Sequence, residues 1–109
     1  MSELQYMPLL NANYFKKLNE LETIELQNAI KISLMMVQGF RDILYELNFD
    51  EDKLRTLQFN LDDNYDVIEE MFKTTKDIQT KDMLDKLLTQ ISKLDMDIGD
   101  FILENINEY

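Results

Sequence analysis

Cysteine, histidine and tryptophan do not occur among the 109 residues of this chain. Without cysteine there is no disulfide framework, no thiolate nucleophile and no cysteine-held metal. Without histidine, the commonest general base near neutral pH and the commonest transition-metal ligand are both gone. Glycine occurs twice and proline once. Sandwiches and barrels need many tight turns built from those two residues, so the composition argues against a β architecture. Long apolar runs are lacking too. None approaches the roughly 20 residues needed to span a bilayer, and Lys31 interrupts the best candidate. The opening stretch from Met1 to Pro8 lacks the positive leader and apolar core of a secretory signal. A cytoplasmic protein is expected, and the missing cysteine fits that address.

Positive charge is the remaining scarcity. Eleven basic side chains face 22 acidic ones, a formal net charge of −11. Such a chain is repelled by nucleic-acid phosphates and by anionic lipid, so neither is an expected direct partner. A basic surface on another protein would attract it. The charge is also unevenly divided: residues 1–49 carry a net −2 and residues 50–109 a net −9.

What is abundant is apolar residues at helical spacing. They make up 45% of the chain, enough for one ordered domain over 1–109 with a loose arm at 1–7. Leu26, Ile30, Leu34, Val37, Phe40, Leu44 and Leu47 recur every three or four residues, the mark of one helix face. Ile32, Met35, Met36 and Ile43 fall outside that seam. A helix apolar over so much of its circumference is usually covered on several sides. The segment 23–48 is therefore read as a central helix, capped at Asn19 or Thr23. Ahead of it, Pro8, Leu10, Tyr14, Leu18 and Leu21 suggest a short first helix over 8–20. Asp50 can cap a third helix over 51–73, whose seam is Leu54, Leu57, Leu61, Asn64, Ile68 and Met71. A polar connection then leads to Thr80, a good cap for a fourth helix over 81–107. There Leu84, Leu87, Ile91, Leu94, Ile98 and Phe101 make the cleanest seven-residue register in the chain. Short connections force long consecutive helices to lie antiparallel. The expected fold is all-α: an elongated antiparallel three-helix bundle with a short additional N-terminal helix.

Tests for chemistry find none. A calcium loop beginning at Asp62 offers Asp62, Asn64 and Asp66, but Val67 and Lys73 occupy the slots that need glycine and glutamate. Starts at Asn48 and Asp95 fail in the same way. A dimetal bundle site needs inward glutamates with a Glu-x-x-His motif, whereas Glu69, Glu70 and Glu104 lie off the apolar seams. No nucleophile elbow, phosphate loop or dinucleotide fingerprint is present. No catalytic, cofactor-binding or metal-binding residue is assigned, and a non-enzymatic protein is expected.

Two features suit binding. Asp62, Asp66, Glu69 and Glu70 crowd one stretch, and Asp97, Asp100, Glu104 and Glu108 step along one face of the last helix. Like charges so spaced repel by a few tenths of a kcal/mol per pair, so the sequence carries them at a small cost. The plain reading is a solvated face. The sharper one is a docking surface for a basic partner, or mimicry of nucleic-acid charge by a phage- or plasmid-borne inhibitor. Ile32, Met35 and Met36 form the second feature. They are either covered by the N-terminal segment, or they meet a second copy of this chain or another protein. The expected function is a protein-binding module: an adaptor, small chaperone or antagonist acting through helix faces. An acidic inhibitor and a self-assembling structural bundle are the alternatives.

Overall fold

The computed structural model describes residues 15–44 and 51–106. Those residues are helical: a 3-10 helix at Phe15–Glu20, then α1 at Thr23–Ile43, α2 at Glu51–Thr74 and α3 at Ile78–Ile106. The all-α expectation holds. The short first helix is not supported. Residues 1–14 lie outside the description, and the part of 8–20 that is described is a 3-10 helix. Leu18 in that turn is buried and anchors it against α1 and α2. The expected end of the second helix at 48 also falls outside, together with the cap expected at Asp50.

Helix ends show how local chemistry set the boundaries. The N-cap of α1 is neither Asn19 nor Thr23. It is Glu22, in extended conformation with no capping bond from its side chain, whose carbonyl accepts the Leu26 N–H at 2.8 Å. Helix α3 begins earlier than expected because Asp77, not Thr80, caps it. Asp77 Oδ2 accepts the backbone N–H of Thr80 at 2.9 Å and its hydroxyl at 2.7 Å. That satisfies one of the unpaired donors every helix start presents. Thr80 becomes a buried third residue of the first turn. Three residues, Thr75 to Asp77, join α2 to α3, too few for anything but an antiparallel pair.

The packing corrects one expectation outright. Helix α1 is not central; α3 is. Both α1 and α2 pack lengthwise on α3, and these are the two principal helix contacts. Side-chain links give the directions. Gln27 near the start of α1 meets Asp77 and Thr80 at the start of α3, and Arg41 near the end of α1 meets Gln90 and Asp97 farther along it. So α1 and α3 run parallel, as the first and third helices of an up-down-up bundle must. The object measures 50 × 27 × 20 Å.

The core follows the seams. In α2, Leu54, Leu57, Leu61, Asn64, Ile68 and Met71 are all buried, every inward position read from the sequence. In α3, Leu84, Leu87, Ile91, Leu94 and Ile98 are buried. The register then drifts: Ile102 is buried and Phe101 only half-buried. A straight helix turns 3.6 residues per turn, so a 3.5-residue pattern slips sideways along its length. In α1 and its C-cap residue the buried set is Ile30, Ser33, Val37, Phe40 and Leu44. The Ser33 hydroxyl needs a partner in that setting and donates to the Ala29 carbonyl at 2.8 Å.

Candidate functional site

The apolar surplus of α1 divides in two. Met36 is half-buried and packs on the core, so it is withdrawn from the candidate surface. Ile32 and Met35 stand outward, 55% and 71% exposed. Ile24, absent from the expected set, joins them at 75%. It lies eleven residues before Met35, three helical turns, and therefore on the same face. That spacing was readable; the seam-first reading of α1 passed over it. Ile24, Ile32 and Met35 mark an outward apolar stripe interrupted by Asn28 and Lys31.

The acidic candidates divide as well. Asp62, Asp66, Glu70, Asp100 and Glu104 are exposed. Asp97 is not at liberty: its Oδ2 accepts the Arg41 Nε–H at 2.7 Å, and both side chains are about two-thirds covered. Arg41 Nη1 donates at 3.0 Å to Gln90 Oε1. This is a clasp between α1 and α3 that ties Asp97 within the bundle. Glu69 pairs with Lys73 at 3.6 Å across one turn. Glu108 lies outside the described residues.

A second clasp closes the other end. Gln27 Nε2 donates to Thr80 Oγ1 at 3.0 Å and approaches Asp77 Oδ2 at 3.4 Å. The hydrogen bonds from the Thr80 side chain and backbone hold the Asp77 carboxyl below its usual range, with a smaller help from Gln27. Beside it, the Lys81 ammonium sits 4.8 Å from the centre of the Phe72 ring, across the α2–α3 turn.

A concavity lies on the other side of α3. Between α2 and α3 lies an open cleft of about 270 Å³, lined by Arg55, Gln58, Phe59, Asp62 and Asp95. Gln58 bridges the two helices, its Nε2 pointing at the Asp95 carbonyl at 3.4 Å. Gly99 sits opposite Gln58 here. Burial pushes the Asp95 carboxyl above its ordinary value, and the nearby Asp62 charge pushes it further. Neither the cleft nor Asp95 was foreseen, because no single stretch of sequence holds both walls. Among the described residues no three acidic side chains converge as metal ligands would.

The fold and surface thus define a class: an acidic, all-helical bundle with apolar residues left on its outside. Comparison adds no particular identity. No protein-family model matches the chain, no curated protein matches it, and no solved structure matches it.

Proposed function

We propose that this chain is a non-enzymatic protein-binding module that docks through helix faces. One observation carries the reading. Ile24, Ile32 and Met35 stand in solvent on the outer face of α1, although the bundle already buries a full apolar core without them. Each exposed apolar side chain forgoes roughly 25 cal/mol for every Å² it could bury, and a partner's groove would recover it. An amphipathic helix laid in such a groove is a recurrent mode of recognition. The high negative charge favours a partner whose groove is ringed by basic side chains.

Nucleic-acid mimicry is the weaker reading. It needs a continuous row of free carboxylates, and Asp97 and Glu69 are tied to Arg41 and Lys73. Self-assembly uses the same stripe and is separated by experiment. The mass in solution is followed over a hundredfold range of concentration for the parent chain and for Ile32→Glu with Met35→Glu. Capture of proteins from the native host is run in parallel. Retained monomer mass with lost capture supports an outside partner. A dimer that the variant dissolves points to self-assembly instead. If neither mass nor capture changes, the stripe is not a binding surface.

A further inference from the structure

The cleft between α2 and α3 has features that the α1 stripe does not explain. Phe59 supplies its apolar wall, and Arg55, Gln58, Asp62 and Asp95 line the rest. Phe59 stands at its rim 72% exposed, a large aromatic ring in solvent in the middle of a regular helix. Asp62 comes one turn later on the same helix, and Asp95 faces it from α3. Among the described residues neither carboxylate has an ion-pair partner, although they repel each other. The one cation in the lining is already engaged: Arg55 donates to Glu51 Oε1 from Nε at 2.9 Å and from Nη2 at 2.8 Å. The cleft therefore joins an exposed aromatic ring to two carboxylates that lack an ion-pair partner, with only a Gln58 hydrogen bond to offset the Asp95 charge.

We propose that this cleft receives an arginine side chain from a basic segment of a partner protein. The inference rests on the protein-binding reading above and gives it a second contact point. Guanidinium suits each wall. Its planar face stacks on an aromatic ring, its N–H groups reach carboxylates in pairs, and its methylene stem lies on apolar surface. Arrival of a positive charge also relieves the repulsion between Asp62 and Asp95. A bare divalent ion fits poorly. It wants six or more oxygen ligands at close range, makes no use of a phenyl ring, and is far smaller than this trough.

The test uses the whole chain and a fluorescein-labelled hexa-arginine peptide, read by anisotropy and by amide shift mapping. Binding that weakens with salt and moves the amides around Phe59, Asp62 and Asp95 is expected. Phe59→Ala and Asp95→Asn should each weaken it about threefold or more, the scale of one exposed cation–π contact or one partly exposed ion pair. Asp100→Asn removes equal charge away from the cleft and should change it less than about twofold. Phe59→Leu keeps the apolar bulk; it should bind as weakly as Phe59→Ala and keeps the test valid if the alanine variant does not fold. Equal losses in Asp95→Asn and Asp100→Asn would mean diffuse charge attraction and overturn the proposal. So would full binding by Phe59→Leu, or displacement of the peptide by millimolar calcium. Failure here with the α1 stripe still governing capture removes the cleft alone. Failure of the stripe with peptide still seated in the cleft removes the helix-face reading instead.

Discussion

Helices α1 and α3 make an instructive pair. In sequence, α1 has the broader apolar belt and α3 the narrower, more regular seam. In the bundle the ranking of burial is reversed. Among the described residues helix α3, enclosed by α1 on one side and α2 on the other, buries eight apolar side chains where α1 buries three. Yet each leaves three large ones in solvent: Ile24, Ile32 and Met35 on α1, Ile78, Met96 and Leu103 on α3. The breadth of an apolar belt measures how much surface a helix could bury, not how much its own fold covers. Position is set by connectivity and length. The 29 residues of α3 give both other helices a full-length surface, and Met83 and Leu88 widen its seam on opposite flanks. What sets the α1 surplus apart is its alignment, since Ile24 and Met35 lie three helical turns apart on one face.

The contrast breaks first on core deletions. Leu94→Ala removes a fully buried side chain of α3 and should cost about 3 kcal/mol in denaturant unfolding. Met35→Ala, on the outer face of α1, should stay within about 0.5 kcal/mol. Comparable losses would mean that the α1 stripe is covered in solution, and the two helices would then be equivalent.

Much of this was readable from residue spacing. Every inward position of α2 was found, including the buried polar Asn64, because period and burial coincide along a helix with one covered side. The α3 seam was found up to Ile98, where accumulated drift moved burial from Phe101 to Ile102. What spacing could not supply was which helix lay in the middle, since that is a relation between helices. The same limit hid the Arg41–Asp97 clasp and the α2–α3 cleft, whose members lie tens of residues apart. The α3 cap was a different kind of miss. Asp77 and Thr80 both cap well, and the first turn, Ile78 to Thr80, has a weak apolar signal of its own.

Glycine sharpens the comparison next. Gly99 costs α3 about 1 kcal/mol relative to alanine if nothing else needs the space. A Cβ there would meet Gln58 Nε2 at 3.6 Å, ordinary contact. Gly99→Ala should therefore stabilise the bundle by up to about 1 kcal/mol. A loss would show that the α2–α3 approach is tighter than that distance implies. The clasp between α1 and α3 ranks lower. Arg41→Ala should cost about 0.5–1 kcal/mol at low salt, the scale of a partly covered ion pair with a second hydrogen bond, and less at high salt. No loss would mean that apolar packing alone holds the two parallel helices in register.

The smallest effect is the most diagnostic, because its sign opposes the usual one for an acidic side chain. Asp77 and Asp95 flank the same buried seam with opposite shifts, one at the cap of α3 and one within it. The folded state lowers the pKa of Asp77, so its contribution is present above the ordinary aspartate range and is lost as pH falls through the lowered value. At Asp95 the folded state raises it, through burial first and the Asp62 charge second. The folded chain then holds the Asp95 proton more tightly than the unfolded chain does, so stability falls as pH rises through the raised value. Asp95→Asn should thus leave the bundle slightly more stable at neutral pH and unchanged at pH below the ordinary aspartate range. Asp77→Ala should do the reverse, destabilising most at neutral pH. Thermal melts of both variants across that range read the two signs directly. If Asp95→Asn destabilises at neutral pH, the carboxylate is already compensated within the chain. In that case the cleft loses the uncancelled charge that would draw a guanidinium into it.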